Sequence, residues 1–421
     1  MADLKYRSPR GTADILPEEQ PYWAFILETA VGLAELYGYQ RIDLPVFEFA
    51  DLYIRGVGEA TDIVQKEMYI FADRGGDRMA LRPEFTAGIC RAYLQHGLSN
   101  RPQPVKLWTA GPVFRYDRPQ RGRYRQFHQF NYEAIGELDP WLDAEVIDLA
   151  WRFYERLGLR DLTLELNSIG DARCRPAYRE ALRAYYRPLV DRLCADCKDR
   201  LERNPLRLLD CKQPACWALA ETAPRSVDYL CDECRAHFAG VQEWLGRYGV
   251  PYRLNHRLVR GLDYYTKTVF EVQPPRQGAQ SALGGGGRYD GLIEELGGRP
   301  TPGIGFATGI ERIILELREQ GITPPARKRP VVFVAYTGEA TRLATVEVVG
   351  RVRAAGLVGV HAFGNRSLKS QLRLADGLGA EYALILGEEE YRQGRVVVRD
   401  MVTGSQEVLP LEEALSRIGR R

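Results

Sequence analysis

The sequence predicts an α+β fold, in which an antiparallel-sheet domain with a helical insertion is followed by a small α/β domain. Strand-like and helical segments are mixed without strict alternation up to about residue 170, which favours an antiparallel sheet over a doubly wound one. Charged helical patterns then fill residues 171–250. Beyond a linker at Gly321–Arg329, strands and helices alternate. We therefore expect domains at 1–325, including the insertion at 171–250, and at 326–421.

Composition sets broad limits on function. The chain has 421 residues, of which 45% are hydrophobic and 27% charged, as in ordinary globular proteins. The net charge of 58 − 56 = +2 gives no global basic field, so contact with nucleic acid requires local patches. No apolar run approaches the ~20 residues of a membrane span, and the N-terminus lacks a signal-peptide core. We expect a cytoplasmic protein with no membrane partner.

The first elements follow from hydrophobic periodicity and turn residues. Residues 18–37 have a helical pattern closed by Gly38, and Tyr39–Val46 resembles a strand. The next expected elements are a helix near Phe49–Arg55, a hairpin at Met68–Leu81, a helix from Arg82 to about Gln95, a helix at Pro140–Leu157 and a strand at Leu162–Leu166.

The insertion and the segments after it are expected to differ in character. One long helix at 176–203 and a second at Val227–Tyr248 flank a loop at Leu208–Cys216. The later elements are strands at Pro251–Leu258 and Tyr264–Gln273, a glycine-dense turn at Leu283–Gly291, and a strand or turn leading into an amphipathic helix at Thr301–Glu316.

Residues Val113–Glu133 form the most informative segment. Both ends have strand character, and the middle contains Pro119 and Gly122, so two antiparallel strands joined by a long loop are predicted. Five arginines and one acid lie between Arg115 and Arg125. A solvated surface loop is one interpretation. An anion-binding site is the other, because Arg115 falls where the strand is partly buried and its planar fork suits phosphate.

Two further arginines lie inside structured, glycine-containing segments. Arg260 precedes Gly261, and Arg312 follows the glycine-rich stretch Gly303–Gly309, where backbone and ligand can approach closely. Together with Arg115 they would suit a triphosphate. A structural ion pair is the competing interpretation for each.

These segments resemble conserved motifs of the class II aminoacyl-tRNA synthetases, and within that class the histidyl-tRNA synthetase family. Three segments resemble the class motifs: Ile42–Glu48 resembles motif 1, Phe114–Glu133 resembles motif 2 and Gly303–Arg312 resembles motif 3. The segments that resemble histidine-specific members are Pro9–Thr12, Arg260–Tyr265 and Gly285–Gly291. The resemblance implies a class II antiparallel-sheet catalytic domain and a C-terminal α/β anticodon-binding domain.

The resemblance also implies ATP-dependent ligation of L-histidine to tRNA(His) through histidyl-adenylate. Arg115 and Arg260 would flank the α-phosphate of ATP and Arg312 would hold the γ-phosphate, with Mg²⁺ bridging phosphate oxygens. Arg115, Arg260 and Arg312 are thus the expected catalytic residues, and Arg115 and Arg312 the ATP-binding ones.

Histidine recognition is expected from a second set of side chains. The family positions for the amino acid are Glu84, Phe85, Thr86, Gln129, Glu133, Tyr264 and Tyr265. Glu84, Thr86 and Gln129 suit the cationic α-amino group. Glu133 and one of the two tyrosine hydroxyls suit the imidazole, which offers one donor and one acceptor. Strand alternation suggests that the other tyrosine packs in the core.

The same resemblance implies macromolecular partners. Arg118, Gln120 and Arg123 would reach the acceptor end of the tRNA, mostly through its phosphates. The C-terminal domain would bind the anticodon, although Arg366 and Lys369 alone could equally form a solvated face. Motif 1 implies a homodimer.

Six of the eight cysteines fall between Cys194 and Cys234. Cys194, Cys197, Cys231 and Cys234 form two C-x-x-C pairs with the spacing of a tetrahedral zinc site. Cys211 and Cys216 are rival ligands, and free buried thiols are the alternative to a structural Zn²⁺.

Two other functions compete with the enzyme. One is a non-catalytic, synthetase-like regulatory subunit of ATP phosphoribosyltransferase, which would need neither the three arginines nor a C-terminal anticodon domain. The other is a zinc-containing RNA-binding protein, which leaves Glu84, Gln129 and Glu133 unexplained.

Overall fold

The protein is described by a computed structural model that covers residues 6–59, 61–275, 282–325 and 330–419. It divides into two compact units, residues 1–324 and 325–421. None of the helices in these ranges combines the length and apolarity needed to cross a membrane.

The strands and helices are numbered separately in chain order. The strands are β1 (Gln40–Arg41), β2 (Phe47–Phe49), β3 (Ile70–Ala72), β4 (Arg78–Leu81), β5 (Val105–Phe114), β6 (Gln126–Ile135), β7 (Thr163–Ser168), β8 (Arg253–Leu254), β9 (Thr266–Gln273), β10 (Gly284–Arg288), β11 (Gly303–Gly309), β12 (Val331–Tyr336), β13 (Val358–His361), β14 (Tyr382–Leu386), β15 (Arg395–Asp400) and β16 (Gln406–Pro410). The helices are α1 (Gln20–Leu36), α2 (Ala50–Val57), α3 (Thr86–Gln95), α4 (Pro140–Arg156), α5 (Arg175–Tyr186), α6 (Ala195–Arg203), α7 (Pro214–Ala220), α8 (Asp232–Tyr248), α9 (Leu292–Glu295), α10 (Ile310–Glu319), α11 (Glu339–Ala354), α12 (Leu368–Gly377), α13 (Glu388–Arg392) and α14 (Leu411–Gly419).

An eight-stranded sheet with the order β1-β5-β6-β11-β10-β9-β7-β8 forms the centre of the first unit. Its neighbours pair antiparallel except at the two edges, where β1 runs parallel to β5 and β8 parallel to β7. The α+β prediction is confirmed. A smaller sheet, β2-β4-β3, contains the predicted hairpin.

Both faces of the large sheet are covered. One face packs against α1, α4, α8 and α10 in a cluster that includes Trp23, Ile147 and Phe306. The other face packs against α3 and the insertion, in a cluster that includes Ile89 and Leu182. Large apolar side chains on both sides remove most of the sheet from water, which is the main stabilising term for such a layered fold.

The glycine-dense turn predicted at Leu283–Gly291 is wrong, because Gly284–Arg288 is the strand β10 in the middle of the sheet. A Cβ on Gly286 would lie 1.9 Å from the carbonyl oxygen of Gly305, and one on Gly284 would lie 2.4 Å from the hydroxyl of Tyr154. Glycine is needed here for close approach between strands rather than for a turn.

The single helix predicted at 176–203 is also wrong. It is split into α5 and α6 by a 3₁₀ segment, Arg187–Arg192, and by the extended Leu193 and Cys194. Pro188 lies at the start of that segment and cannot donate the hydrogen bond that would continue α5. The loop predicted at Leu208–Cys216 ends in α7.

The second unit has a mixed sheet with the order β13-β12-β14-β15-β16. The pairs β12–β13 and β12–β14 are parallel, and the last two pairs are antiparallel. Val348 and Leu415 belong to one core cluster of this unit, and Phe333 and Ala375 belong to another. The predicted α/β character is confirmed.

Candidate active site

A cavity of about 400 Å³ opens over the centre of the large sheet. Its floor comes from β6, β9, β10 and β11, and its walls come from the loop after β5, the start of α3 and the turn before β9. The lining side chains that carry polar groups include Asp62, Glu67, Glu84, Thr86, Arg115, Asp117, Arg123, Gln129, Asn131, Arg207, Arg260, Tyr264, Tyr265, Glu271, Glu311 and Arg312. The structure therefore brings the three predicted catalytic arginines into one cavity.

Arg115 immediately follows β5 and is held without a carboxylate. Its Nε donates to the carbonyl oxygen of Pro83 at 2.9 Å, and its guanidinium lies 5.4 Å from the ring centre of Phe127. Burial lowers the pKa of Arg115. Among the described residues no carboxylate oxygen lies within 4.0 Å of this guanidinium, so a structural ion pair does not account for it.

Arg312, in the first turn of α10, is held in the same way. Its Nε and Nη1 donate to the carbonyl oxygens of Gly122 (3.2 Å) and Ala282 (2.9 Å). Burial and then the charges of Arg123 and Arg115 lower the pKa of Arg312. Within the described ranges it too lacks a carboxylate partner. These cations repel one another, and an anion in the cavity would relieve that repulsion.

Arg260 differs because its Nη1 forms an ion pair with Glu271. Burial opposes its charge, but Glu271 and then Tyr265 raise the pKa of Arg260. Its Nε is buried and has no hydrogen-bond partner among the described residues, so the protein groups described here do not fully satisfy this guanidinium. The ion-pair interpretation holds for Arg260 in part.

Five of the seven predicted histidine positions line the same cavity, namely Glu84, Thr86, Gln129, Tyr264 and Tyr265. Gln129 lies on β6, and its Oε1 is buried without a hydrogen-bond partner among the described residues, as is Oδ1 of Asn131 two residues further along the strand. Both side chains line the cavity. Two unpaired carbonyl oxygens in a buried wall suit a ligand that donates hydrogen bonds.

Glu84 also lines the cavity, but its carboxylate is committed to the start of α3. Its Oε2 accepts from the backbone N–H of Thr86 at 2.6 Å, and its Oε1 accepts from that of Ala87 at 2.9 Å. Burial raises the pKa of Glu84, while these backbone hydrogen bonds lower it. The carboxylate therefore fixes the position of Thr86, and its remaining lone pairs face the ligand space.

Glu133 does not line the cavity. It is buried one layer behind the wall, where its Oε1 accepts from the Thr86 hydroxyl and its Oε2 from the Tyr289 hydroxyl, both at 2.7 Å. Burial raises the pKa of Glu133 to about 7. Gly305 makes room for it, because a Cβ there would lie 1.9 Å from Glu133 Oε2.

Phe85 also lies away from the cavity surface. It is fully buried in the core cluster that contains Ile89, and the Arg82 guanidinium lies 4.6 Å from its ring centre.

The expectation that only one of Tyr264 and Tyr265 faces the site is corrected. Both line the cavity, with ring centres 4.7 Å apart, and they are 7% and 6% exposed. They precede β9, which begins at Thr266, so the alternation of a strand does not apply to them.

The basic loop contains two kinds of arginine. Arg118 and Gln120 are exposed, and Gln120 pairs with Arg123 through backbone hydrogen bonds at the tip. Arg123 instead lines the cavity, and its Nη1 lies 2.8 Å from Oδ2 of Asp117. The solvated-surface interpretation thus fits the exposed side chains of the loop and not Arg123.

The predicted zinc set Cys194, Cys197, Cys231 and Cys234 is corrected. The two C-x-x-C pairs lie in separate clusters, each with its sulfur and oxygen atoms within 4.8 Å of one another. The two clusters are Cys194, Cys197, Cys211 and Cys216, and Asp171, Cys174, Cys231 and Cys234.

Sequence reasoning missed Asn131, Glu271 and Tyr289. Asn131 lies between Gln129 and Glu133 on the same face of β6, so the two-residue period of a strand could have identified it. Glu271 and Tyr289 carry no comparable local signal, because their partners lie at distant positions in the chain.

Comparisons with known proteins agree over the whole chain. Residues 11–313 match the family described as histidyl-tRNA synthetase, and residues 331–421 match the family described as anticodon binding domain. A histidine–tRNA ligase of Dehalococcoides mccartyi (strain ATCC BAA-2266 / KCTC 15142 / 195) is 59% identical, over 99% of this chain and 100% of that protein. One of Pelotomaculum thermopropionicum is 51% identical over 97% and 96%. The crystal structure of the apo histidyl-tRNA synthetase of S. aureus superposes with a TM-score of 0.83 at 37% identity, covering 98% of this chain and 100% of that one.

Proposed function

Because this chain belongs to the histidyl-tRNA synthetase family, we propose that its cavity joins L-histidine to ATP as histidyl-adenylate. The chain is a class II synthetase, a histidine–tRNA ligase that esterifies tRNA with histidine. The relatives named histidine–tRNA ligase over the full chain do not favour the regulatory-subunit alternative.

One observation carries the proposal for the site. Two partly buried guanidiniums, Arg115 and Arg312, are held by backbone carbonyls instead of carboxylates, and Gln129, whose Oε1 has no partner among the described residues, lines the same cavity. The arginines suit a polyphosphate and the amide oxygen suits an ammonium group. ATP and an amino acid carry these two charges.

The arginines would act on the phosphates. The histidine carboxylate would attack the α-phosphorus and displace pyrophosphate, as the bond from that phosphorus to the oxygen bridging to the β-phosphorus breaks. Negative charge would build on the equatorial oxygens, where Arg115 and Arg260 would stabilise it. Arg312, whose charge interacts with that of Arg123, would hold the γ-phosphate. Positioning and charge stabilisation are the main protein contributions to such a transfer.

Mg²⁺ is expected to accompany ATP. Glu271 and Glu311 line the cavity beside the arginines and offer carboxylate oxygens, the ligands that Mg²⁺ prefers, although each already accepts hydrogen bonds from a protein group. When bound, the ion would neutralise phosphate charge.

Histidine would be recognised by hydrogen-bond acceptors and aromatic hydroxyls. Glu84, Thr86 and Gln129, which all line the cavity, would accept from the α-amino group, and Tyr264 and Tyr265 would contact the imidazole. Glu133 is a positioning residue in this proposal, because it reaches the ligand through the Thr86 hydroxyl. A site that hydrogen-bonds its substrate rejects analogues that leave those groups unpaired.

The tRNA(His) would meet two surfaces. Arg118 and Gln120, exposed at the rim of the cavity, would contact the acceptor end, and Arg123 would bridge the acceptor end and the phosphates. The domain at 326–421 would bind the anticodon, as the family description of residues 331–421 suggests.

A cytoplasmic homodimer completes the proposal. In the motif 1 region, Phe47 and Phe49 are 55% and 59% exposed, and Phe71 on the adjacent hairpin is 42% exposed. Such an apolar patch on a small sheet is typical of an interface. Light scattering should give twice the chain mass, and Phe47→Ser with Phe71→Ser should shift it towards the monomer.

Histidine-dependent exchange of pyrophosphate into ATP tests the central claim. Folded protein should catalyse exchange with histidine and Mg²⁺ in the absence of tRNA. No exchange under these conditions would rule out the adenylate mechanism. Exchange without transfer of histidine to tRNA(His) would support the adenylate mechanism and contradict the proposed tRNA-binding surfaces.

A further inference from the structure

Four cysteines of the insertion come together at a site that does not line the cavity. Cys194 precedes α6, Cys197 lies in its first turn, Cys211 follows a 3₁₀ turn and Cys216 lies in α7. Their sulfurs all lie within 4.8 Å of one another. The spacing C-x₂-C-x₁₃-C-x₄-C, counted from Cys194, consists of two closely spaced ligand pairs, as structural zinc sites do.

The sulfur separation fits a tetrahedron around one ion. With zinc–sulfur bonds of about 2.3 Å, adjacent sulfurs of a tetrahedral site lie about 3.8 Å apart. Sγ of Cys194 lies 3.8 Å from Sγ of Cys211. A disulfide needs about 2.05 Å, and all eight cysteines are unbridged.

Backbone donors already point at these sulfurs. The N–H of Cys194 donates to Sγ of Cys216 at 3.3 Å, and the N–H groups of Cys197 and Gln213 donate to the sulfurs of Cys194 and Cys211. Such hydrogen bonds disperse the negative charge of metal-bound thiolates and orient the ligands.

The surroundings close the site. Cys197, Cys211 and Cys216 are at most 5% exposed and belong to an apolar cluster that also contains Leu193 and Leu208. Structural zinc sites are closed in this way, with four protein ligands and no open position. Because the binding free energy of a structural ion adds to the stability of the folded state, the ion would stabilise the short helices and turns of this segment.

We propose that Cys194, Cys197, Cys211 and Cys216 bind one structural Zn²⁺. The insertion segment that this ion would fix also contacts the cavity. In that segment Arg200 lies 2.9 Å from Asp62, and Arg207 donates to the carbonyl oxygen of Arg260 at 3.2 Å. The ion would thereby support the wall that carries Arg260.

The Asp171 cluster is a different site chemically. Its carboxylate already lies 3.2 Å from Arg173 and 3.8 Å from Lys267. A cation bound there would compete with these two, whereas all four ligands of the other cluster are cysteine sulfurs.

Metal content of the full-length protein, purified without chelator, tests the proposal. The wild type should contain about one equivalent of zinc. The zinc content should fall roughly tenfold in Cys194→Ser and in Cys216→Ser, because each substitution removes a ligand. It should be retained in Cys90→Ala, a buried cysteine of α3 outside both clusters, and in Cys231→Ser. Less than about a tenth of an equivalent in the wild type, or zinc that persists in Cys194→Ser and disappears in Cys231→Ser, would overturn the assignment.

X-ray absorption at the zinc edge provides a test that survives misfolding of the variants. In Cys231→Ser, or in a wild type with one equivalent, a shell of sulfur alone at about 2.3 Å is expected. A mixed sulfur–oxygen shell would contradict the four-cysteine site and favour the cluster that contains Asp171. Histidine-dependent exchange need not be measured in either experiment, so this proposal can fail independently of the enzymatic one.

Discussion

The residues proposed to bind phosphate and those proposed to bind histidine, called here the phosphate end and the amino-acid end of the cavity, are buried in opposite ways. At the phosphate end, Arg115 and Arg312 are partly buried cations that have no carboxylate partner among the described residues, and backbone carbonyls hold them in place. At the amino-acid end, Gln129 and Asn131 are uncharged acceptors, and the carboxylate of Glu133 is withdrawn behind the wall. At the phosphate end the cations repel one another, and a bound anion would relieve that repulsion. At the amino-acid end the acceptors lack donors, and only a ligand with matching donors would satisfy them.

This difference implies that mutations at the two ends should change different kinetic parameters. Loss of a cation near the reacting phosphorus should mainly reduce the rate, because charge develops there in the transition state. Loss of an acceptor at the other end should mainly weaken histidine binding, because those contacts are made equally in the ground state.

Arg260→Ala should have the largest effect. The adenylation rate is expected to fall about 10²–10³-fold, as for the loss of an oxyanion-stabilising donor, while histidine affinity changes little. Single-turnover adenylate formation with equilibrium dialysis of histidine measures both. Arg121→Ala, an exposed loop arginine paired with Glu319, is the matched control and should leave both unchanged. Equal losses of rate and affinity would instead indicate a structural role for Arg260.

Gln129→Ala, at the amino-acid end of the cavity, should have the next largest effect. Removal of an acceptor for a charged group costs about 1.5–3 kcal/mol, so KM for histidine should rise roughly 10–100-fold with KM for ATP unchanged. Exchange kinetics at varied substrate concentrations measure this. Gln126→Ala, on the same strand outside this cavity, is the control. A rise in both KM values would contradict the proposal that Gln129 contacts histidine and not ATP.

Glu133→Gln should alter the pH dependence of stability. Burial raises the pKa of Glu133 from 4.5 to about 7, so the folded state holds a proton that the unfolded state releases. The resulting stabilisation is full below pH 4.5 and is lost as the pH rises towards about 7, by up to about 3 kcal/mol. Urea unfolding at pH 5 and pH 8 should show a smaller difference in Glu133→Gln than in the wild type. Glu35→Gln, at an exposed position of α1, should keep the wild-type difference.

Arg118→Ala should have the smallest effect. Loss of one phosphate contact should weaken tRNA(His) binding several-fold and lower the slope of log affinity against log salt by about one. Pyrophosphate exchange without tRNA should not change. Filter binding at several salt concentrations measures the slope, and an unchanged slope would place Arg118 outside the tRNA surface.

The sequence was most informative where local pattern and chemistry coincide. The alternation in β6 placed Gln129 and Glu133 on one face, and turn residues identified the Arg115–Arg125 loop between two antiparallel strands. The helical periods of α1 and α10 could also be recognised, because each of these helices buries mainly one apolar face. Helix α4 was predicted as well, although it is buried around most of its circumference, including Asp143 and Asp148.

It was least informative where distant segments decide the outcome. Strand β10 consists almost entirely of glycine, so nothing local distinguishes it from a turn. Atoms from distant parts of the chain require that composition, among them the carbonyl oxygen of Gly305 and the hydroxyl of Tyr154. The cysteines show the same limit. Two C-x-x-C pairs look like one site in the sequence, but the fold of the insertion pairs Cys194 and Cys197 with Cys211 and Cys216 instead.

Strand β10 also restricts how this site can evolve. Because Gly284, Gly285 and Gly286 present only backbone where a Cβ would collide with neighbouring atoms at 1.9–2.6 Å, almost no substitution is tolerated there. The centre of the cavity floor is therefore a fixed part of the molecule, the same whatever the substrate. Any change of amino-acid preference would have to arise outside β10, on β6, at the start of α3 and in the turn before β9.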